Sequence, residues 1–324
     1  MLQLNSFENR VLLVQLEDGG AVVAKFYRPG RWSDGQILEE HAFSTELAAS
    51  EVPVAAPLAD ASGRTLHAFQ GDDLVSGEPG DPEAAQAAPS PWRFAVFDRM
   101  PGRGPELEQP GVLRRIGHFL GRLHAVGAHR PFSERLTLDL DFGRAARQAV
   151  LESGYLDDAT LERWRQAADQ VLAACETVEA AVGETQKLRL HGDCHLGNIL
   201  WTEDGPHFVD LDDAVNGPAV QDLWMLLAGD AATARAQRDE LLDGYETFRE
   251  LDPRELHLVE VMRSLRMLHY SAWLARRWHD PAFPAAFPWF ATAAYWSEQV
   301  TRLQDQLPLL DEALSRAQGL PRWE

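Results

Sequence analysis

The sequence predicts an α+β fold, with a small antiparallel sheet near the N-terminus and a larger, mainly helical part after it. The first 28 residues alternate apolar and polar side chains, with turns at Asn5-Ser6 and Asp18-Gly19-Gly20, which predicts three antiparallel strands. Beyond Pro101 the apolar residues recur at helical spacing. A chain of 324 residues is long enough to bury a sizeable core in two lobes.

The third predicted strand contains the run AVVAK, which ends at Lys25. A lysine on an interior strand is costly unless it is paired, whereas a lysine on an edge strand faces water. A helix is predicted next, from Ser33 to about Ser50. Its expected apolar face consists of Leu38, Ala42, Phe43 and Leu47. Glu39 and Glu40 also lie on this helix, and either could pair with Lys25.

The middle of the chain changes character twice. Residues 71–91 are rich in Gly, Pro, Ala and acidic residues, which predicts a surface loop between strands. The run WRFAVFDRMPGR that follows predicts a strand and a turn.

Two long amphipathic helices are predicted at Val112–Val126 and Thr160–Val182. His118 and His124 are interpreted as helix-face residues without a chemical role. The last third, from Glu240 to Leu309, is helical and rich in aromatic residues whose spacing suits core packing.

A basic cluster stands out in the C-terminal third because the chain as a whole is acidic. It consists of Arg263, Arg266, Arg276 and Arg277. The cluster is either a solvated helix face or a binding surface for an anionic substrate, and we prefer the solvated face.

The stretch Leu188–Asp213 reads LRLHGDCHLGNILWTEDGPHFVDLDD and holds the main candidates for chemistry. Short apolar strands are predicted around Leu190 and at His207–Leu211. The turn between them is predicted at Asp204-Gly205-Pro206, so that the stretch forms a loop followed by a hairpin.

Three side chains in this stretch suit phosphoryl transfer: Asp193, Asn198 five residues later, and Asp210 near the end of the second strand. That reaction needs a carboxylate that orients and deprotonates a hydroxyl, and an amide and a second carboxylate that hold Mg²⁺. The catalytic loop H-R-D-x-x-x-x-N of protein kinases has the same Asp-to-Asn spacing. A metallohydrolase site with His191 and His195 is the alternative, but zinc sites rely more heavily on histidine.

Composition narrows the classes of partner and compartment. The chain has 30 Lys and Arg against 50 Asp and Glu, a formal net charge of −20, which repels nucleic acids and anionic membranes. Two cysteines and the lack of a predicted secretory signal or membrane span favour the cytoplasm. Cys194, next to Asp193, is either a redox-sensitive thiol or an inert small hydrophobe, and we prefer the second interpretation.

The string HGDxHxGN, followed by a hydrophobic strand and a closing aspartate, resembles the aminoglycoside phosphotransferase and choline kinase superfamily. The strings NSFENRV, AKFYRPGRW, ILEEH and PAFPAAFPWF resemble its bacterial serine/threonine protein kinases. The resemblance implies a protein kinase-like two-lobed fold, with an N-lobe over residues 1–100 and a C-lobe over residues 101–324. It also implies a cytoplasmic, ATP- and Mg²⁺-dependent kinase that phosphorylates Ser and Thr of proteins under stress.

The same resemblance assigns the main roles. Asp193 is expected to orient the acceptor hydroxyl and take its proton, while Asn198 and Asp210 hold Mg²⁺. Asp210 therefore counts as catalytic as well as metal-binding. Lys25, positioned by Glu40, is expected to contact the phosphates.

The remaining expected contacts also come mainly from the resemblance. Ser6, at the tip of the NSFEN turn, offers a hydroxyl and nearby backbone N–H groups to phosphates, unless this is a plain hairpin turn. Backbone groups around Asp98 and Met100 are expected to meet adenine. Asp222 either caps its own helix or accepts hydrogen bonds from the backbone of the catalytic loop, and the resemblance favours the second role. Asp212 is a candidate for a supporting role.

Two rival functions remain open. A small-molecule kinase on the same fold would act on an aminoglycoside, choline or another amino alcohol, and an acidic surface suits such a cation. A pseudokinase would bind nucleotide or a partner without chemistry, but the complete set Lys25, Asp193, Asn198 and Asp210 argues against it. We expect a monomer whose partner is a protein substrate, with no nucleic acid or membrane bound.

Overall fold

The computed structural model describes residues 1–4, 6–69, 92–229 and 231–319. The loop predicted at residues 71–91 and Asn5 of the first predicted turn lie outside these ranges. The chain divides into two compact units. Unit 1 consists of Met1–Glu106 and Gly197–Asp212, and unit 2 consists of Leu107–Leu196 and Asp213–Glu324.

The described residues form strands and helices in a mixed order. The strands are β1 (Leu2–Leu4), β2 (Arg10–Gln15), β3 (Ala21–Tyr27), β4 (His67–Phe69), β5 (Trp92–Asp98), β6 (Leu188–Leu190), β7 (Ile199–Thr202), β8 (Gly205–Phe208) and β9 (Val215–Gly217). The α-helices are α1 (Asp34–Ala49), α2 (Val112–Gly127), α3 (Leu140–Leu151), α4 (Asp158–Val182), α5 (Val220–Trp224), α6 (Ala231–Tyr245), α7 (Val259–Arg277), α8 (Ala282–Ala286) and α9 (Ala293–Ala317). None of the helices in the described ranges combines the length and apolar character needed to cross a bilayer.

Unit 1 is built on a five-stranded sheet in the order β1-β2-β3-β5-β4, in which neighbouring strands are antiparallel. The three antiparallel strands predicted for the first 28 residues are therefore confirmed. Lys25 lies on the central strand, paired with Val11 of β2 and Ala95 of β5. The edge-strand alternative for this lysine is wrong, and its side chain is only 9% exposed.

Helix α1 has nearly the predicted bounds, and Phe43 and Leu47 of its predicted apolar face are buried. Ser33 caps it, because its Oγ accepts a hydrogen bond from Gln36 N and its own N–H donates to Gln36 Oε1. The buried residues are Ile37, Glu40, His41, Phe43, Ser44 and Leu47. The prediction for Leu38 and Ala42 is wrong: both are exposed, since the helical period places the buried stripe along Ile37 and His41 instead.

The hairpin β7–β8 belongs to unit 1, although the sequence prediction placed all residues after 100 in the C-lobe. Phe208 N donates to Pro53 O at 2.7 Å and Trp201 N donates to Arg103 O at 2.6 Å. These backbone bonds fix Gly197–Asp212 against the N-terminal segment of the same unit. The functional lobes 1–100 and 101–324 stay a prediction.

The strand predicted around Leu190 is confirmed as β6, but the predicted turn and the bounds of the strand predicted at His207–Leu211 are wrong. The turn lies at residues 203–204, while Gly205 and Pro206 are already part of β8. Pro206 is tolerated because this strand is short and the proline lies near its start. Strand β6 does not pair with this hairpin but with β9, in the register Leu190 to Val215.

Unit 2 is mainly helical and packs its helices closely. A Cβ atom on Gly117 of α2 would lie 2.0 Å from the carbonyl oxygen of Leu241, and one on Gly244 of α6 would lie 1.8 Å from that of Arg114. The glycines therefore let the backbones of α2 and α6 approach each other directly.

Aromatic residues of the C-terminal third form a core, as predicted, although Phe248 and Trp289 are 45% and 40% exposed. Trp164 of α4 and Trp296 of α9 are each 1% exposed, with ring centroids 6.3 Å apart at 88°. Phe290 is fully buried and its ring centroid lies 5.1 Å from that of Trp296. These edge-to-face contacts join α4 to α9.

Candidate active site

The loop from His191 to Leu196, called the Asp193 loop below, is held by one carboxylate in unit 2. Asp222 of α5 accepts a hydrogen bond from His191 N at 2.8 Å on Oδ2 and one from Gly192 N at 2.9 Å on Oδ1. The predicted bracing role of Asp222 is confirmed. Because successive N–H groups bind one rigid carboxylate, the backbone just before Asp193 has a defined position.

Gly192 makes this conformation possible. Its φ is +85°, and a Cβ atom at this position would lie 2.1 Å from the backbone oxygen of Asp213. An L side chain would be strained by the dihedral angle and would collide with a backbone atom. Only glycine fits between His191 and Asp193.

Asp222 is itself fully buried and tied to two other helices. His124 of α2 places Nε2 3.1 Å from Asp222 Oδ2, and the hydroxyl of Tyr245 on α6 lies 2.9 Å from His124 Nδ1. The interpretation of His124 as a plain helix-face residue is wrong, because its side chain is 0% exposed and bonded at both ring nitrogens. The short pair Leu123-His124 in an amphipathic run carried no signal for this role.

Asp193 is an ion-paired carboxylate. Arg266 Nη1 of α7 lies 2.6 Å from its Oδ1, and His195 Nε2 lies 3.4 Å from its Oδ2. Burial raises the pKa of Asp193, but the hydrogen bond from His195 and the charge of Arg266 outweigh burial and hold the pKa well below its usual range. Arg266 is 42% exposed, as the preferred interpretation as a solvated helix face expects, but its ion pair with Asp193 was not predicted.

A second buried acid fixes the start of α5, the helix that carries Asp222. Glu255 is 2% exposed and its Oε2 accepts a hydrogen bond from Val220 N at 3.1 Å. Burial raises the pKa of Glu255 to about 7, even though the backbone bond from Val220 lowers it. Gln221 adds a bond from its Nε2 to the carbonyl oxygen of Gly192 at 2.9 Å.

Unit 1 holds the other candidate residues in what we call the Lys25 cluster: Lys25, Asp210, Asp212 and Arg31. Lys25 Nζ lies 2.9 Å from Asp210 Oδ1 and 3.1 Å from Asp212 Oδ1. Burial alone would lower the pKa of Lys25, but the two carboxylates outweigh burial and raise the pKa well above its usual value. The lysine is therefore held charged.

Asp212 is the structural member of this cluster. Its side chain is 4% exposed, and Oδ2 accepts hydrogen bonds from Arg31 and, at 3.0 Å, from Asn9 Nδ2. Asn9 belongs to the NSFEN turn, so Asp212 ties that turn to Lys25. Sequence reasoning kept Asp212 as a supporting candidate but gave no role to Asn9 or Arg31, although both lie in the family-like strings.

The other residues predicted to contact the nucleotide or to support Lys25 lie on α1, in the NSFEN turn and at the end of β5. Glu40 is 3% exposed, and its charge is among those that raise the pKa of Lys25. The choice of Glu40 over the less buried Glu39 as the partner of Lys25 stays a prediction. Ser6 Oγ accepts a hydrogen bond from Asn9 N at 3.2 Å. Asp98 is exposed at the end of β5, and Met100 is half-buried two residues later.

Asp210 and Asn198 suit a hard cation. Asp210 has φ +61°, a left-handed conformation that is uncommon for a non-glycine residue, and its side chain is 51% exposed. Asn198 O accepts a hydrogen bond from Val209 N at 3.0 Å. Because Asp210 follows Val209 directly, this bond brings the backbone of Asp210 close to that of Asn198. No group of three or more His, Cys, Asp or Glu residues within the described ranges could hold a metal by itself, and Mg²⁺ commonly takes only one or two carboxylates, with phosphates and water completing its shell.

Cys194 is fully buried. Burial raises the pKa of its thiol well above the usual value, and the charges of Asp222 and Asp193 act in the same direction. This supports the interpretation as an inert small side chain, since reactive thiols are partly exposed and have a lowered pKa.

Comparison with known proteins decides the family. Residues 2–259 match the phosphotransferase enzyme family. The chain belongs to this family. Its members' reaction, the transfer of phosphate from ATP to a hydroxyl acceptor, is therefore the reaction of this phosphotransferase, and the paired carboxylates and lysine described above suit it.

Two relatives cover nearly the whole phosphotransferase. Stress response kinase A of Escherichia coli (strain K12) is 44% identical over 311 residues, which are 95% of this chain and 87% of that protein. The serine/threonine protein kinase RdoA of Salmonella typhimurium is 44% identical over 310 residues, with the same shares covered.

A solved structure with the same fold is that of amicoumacin kinase hAmiN in complex with AMP-PNP, Ca²⁺ and Ami. It matches with a TM-score of 0.71 and 19% identity, covering 96% of this chain and 88% of that one. The predicted α+β, kinase-like fold, with an antiparallel sheet in one part and helices in the other, is confirmed.

Proposed function

We propose that this phosphotransferase is an ATP- and Mg²⁺-dependent kinase of Ser and Thr hydroxyls in proteins. The observation that carries the proposal is the Asp193 loop, in which two backbone N–H groups bound to Asp222 position an ionised carboxylate. A fixed, charged carboxylate is the group that orients and deprotonates an attacking hydroxyl in phosphoryl transfer.

In the proposed reaction Asp193 accepts the proton of the acceptor hydroxyl. The acceptor oxygen forms a bond to the γ-phosphorus while the bond from that phosphorus to the bridging oxygen breaks, so that ADP leaves and the phosphorylated acceptor remains. For this the acceptor oxygen must come within roughly 2.6–3.2 Å of a carboxylate oxygen of Asp193.

Unit 1 supplies the nucleotide contacts in this proposal. Asp210 and Asp212 keep Lys25 charged and fix the position of its ammonium group, which suits contact with phosphate oxygens. Glu40 supports Lys25 from α1. Asp210 and Asn198 would hold Mg²⁺, which when bound neutralises phosphate charge. Ser6 is assigned to the phosphates, and the backbone near Asp98 and Met100 to adenine.

The identity of the acceptor rests on the relatives. A chain 44% identical over 95% of the present one is named a serine/threonine protein kinase, and others are named stress response kinases. We therefore assign a protein acceptor and a role in stress to this chain as parts of the same proposal. The cytoplasmic location and the monomeric state stay predictions from the sequence.

The test is incubation with γ-labelled ATP, Mg²⁺ and a generic protein substrate, followed by phosphoamino-acid analysis. We expect phosphoserine or phosphothreonine, and its loss when Mg²⁺ is chelated. Brisk ATP consumption with an amino alcohol or aminoglycoside, with no labelled protein, would replace the proposed acceptor by a small molecule.

A further inference from the structure

The base proposed above, Asp193, is bonded to an arginine that solvent can reach. Arg266 Nη1 lies 2.6 Å from Asp193 Oδ1, and the two side chains are 42% and 23% exposed. His195, which lies 3.4 Å from the other carboxylate oxygen, is also 42% exposed. An accessible cation, Arg266, therefore lies directly beside this carboxylate in unit 2, although the chain as a whole carries a formal charge of −20.

This arrangement constrains the charge of the acceptor. An acceptor oxygen that reaches Asp193 at hydrogen-bond distance brings its own substituents within several ångströms of the Arg266 guanidinium. An ammonium group there is repelled, while a carboxylate or phosphate is attracted and can form a bidentate pair with the guanidinium.

The pair also affects the base itself. As long as Arg266 donates to Oδ1, the pKa of Asp193 is held low and one of its oxygens is occupied. A competing anion on the acceptor draws the guanidinium away, which frees that oxygen and restores part of its affinity for a proton.

We propose that Arg266 is a specificity-determining residue that selects hydroxyl acceptors with an anionic group beside the hydroxyl and rejects cationic ones. This inference about Arg266 rests on the proposed function and specifies its substrate. The preferred acceptor is a Ser or Thr flanked by acidic residues, and cationic amino alcohols are poor acceptors.

The same helix offers room for the flanking residues. Arg263 lies three positions before Arg266, on the same side of α7, with its guanidinium over the ring of Trp224 at 5.2 Å. Arg263 and Trp224 line a cavity of about 760 Å³ in unit 2. The charged residues that line it are four arginines and two glutamates: Arg235, Arg238, Arg263, Arg316, Glu260 and Glu312.

Charge complementarity favours an acidic peptide in this cavity. Glu260 pairs with Arg263 at 3.4 Å and Glu312 pairs with Arg316, so the glutamates are already neutralised by two of the arginines. Arg238 likewise pairs with Asp239 at 2.6 Å, so the surplus positive charge of the lining is that of Arg235. A basic peptide would find no comparable surplus of negative charge there.

The experiment compares three variants with the wild type. Arg266→Gln removes the charge. Arg266→Lys keeps the charge but removes the paired N–H donors with which a guanidinium binds a carboxylate. Arg276→Gln is the matched control, because Arg276 is on the same helix but ten residues farther, about 15 Å along its axis, beyond the screening length at physiological salt. Two fluorescent peptides carry acidic or basic residues on both sides of a central Ser, and two matching peptides carry Ala in its place.

Binding of the Ala peptides is measured by anisotropy with a non-hydrolysable ATP analogue and Mg²⁺, so that affinity is read without catalysis. We expect the wild type to bind the acidic peptide at least about tenfold more tightly than the basic one, as expected for one half-exposed charge several ångströms away. Arg266→Gln should lower this ratio at least about threefold, with the rest of the preference kept by the charge of the cavity, while Arg266→Lys and Arg276→Gln keep most of the ratio.

Every outcome of these measurements either supports the proposal or overturns it. Equal or tighter binding of the basic peptide by the wild type, binding of neither peptide, or an unchanged ratio in Arg266→Gln overturns the proposal. Phosphate transfer to the Ser peptides is scored separately. If the acidic preference depends on Arg266 but neither Ser peptide is phosphorylated, the inference about Arg266 stands and the proposed protein kinase function falls.

Discussion

At the scale of single residues, Asp210 and Asp212 share Lys25 but differ in every other respect. Asp212 is 4% exposed and also bonded to Arg31 and Asn9, whereas the side chain of Asp210 is 51% exposed. A buried carboxylate with several donors holds structure together, while an exposed one is available to a ligand. We therefore expect Asp212 to contribute mainly to stability and Asp210 mainly to metal binding.

Substitution of each aspartate by alanine should give opposite results. Asp212→Ala leaves buried cations short of a partner and should lower the free energy of unfolding by roughly 3 kcal/mol. Asp210→Ala should change it by less than about 1 kcal/mol, yet weaken Mg²⁺-dependent ATP binding, with partial recovery at high Mg²⁺. Urea unfolding and calorimetric titration of Mg·ATP measure the two effects; unchanged Mg·ATP affinity in Asp210→Ala would move the metal site elsewhere.

At the scale of elements, the Asp193 loop depends on α5, a helix of only five residues. Such a helix has little stability of its own, so it is fixed from outside: Glu255 binds the N–H of Val220, and His124 binds Asp222. Asp193, the proposed base, is thus positioned through a short series of buried hydrogen bonds that begins on α2 and ends at the backbone of His191 and Gly192.

Asp222→Asn should disrupt this series. The carboxylate of Asp222 faces three N–H donors, and an asparagine would present its own NH₂ group to one of them. We expect a loss of roughly 2–4 kcal/mol in the free energy of unfolding together with a lower kcat. Asp239→Asn is the control: it makes the same change at the exposed partner of Arg238 and should cost less than about 0.5 kcal/mol.

Glu255 should make stability depend on pH near neutrality. Its pKa in the folded chain is about 7, above that of an unfolded glutamate, so between these values the folded state binds more protons than the unfolded state. Its contribution is therefore fully present at low pH and is lost as the pH rises through 7. Between pH 4 and pH 8 this group should lower the free energy of unfolding by roughly 3 kcal/mol.

Glu255→Gln removes the titrating group and is the comparison that isolates this effect. Urea unfolding of wild type and variant should diverge as the pH changes from 4 to 8, with the wild type losing more stability. Parallel pH dependences would show that Glu255 does not titrate in this range.

At the scale of the whole molecule, sequence patterns predicted those elements whose formation depends on residues close together in the chain. Alternation and helical spacing located β1–β3, α1, α2 and α4, and the spacing of Asp193 and Asn198 indicated phosphoryl transfer. The contacts of Arg266 and His124 were not predictable, because each partner lies far away in sequence: Arg266 meets Asp193 and His124 meets Asp222 only after the chain has folded.

The pairing errors have the same origin. β6 was expected to lead into the following hairpin but pairs with β9, and β7 was not predicted at all. Strands of three or four residues carry too few side chains to express a pattern, and their partners are chosen by backbone hydrogen bonds with distant segments, such as Phe208 N to Pro53 O. Leu38 in α1 was misplaced because Ile37, its equally apolar neighbour, occupies the buried stripe.

The most direct measurement is the rate of phosphate transfer by Asp193→Asn. The Asp193 carboxylate is assigned to the acceptor hydroxyl and the Lys25 cluster to the nucleotide. Transfer should therefore fall by about 10²–10⁴-fold while the Kd for Mg·ATP stays within about twofold of the wild type. Wild-type turnover in Asp193→Asn, with intact nucleotide binding, would contradict the assignment of the base and with it the central claim.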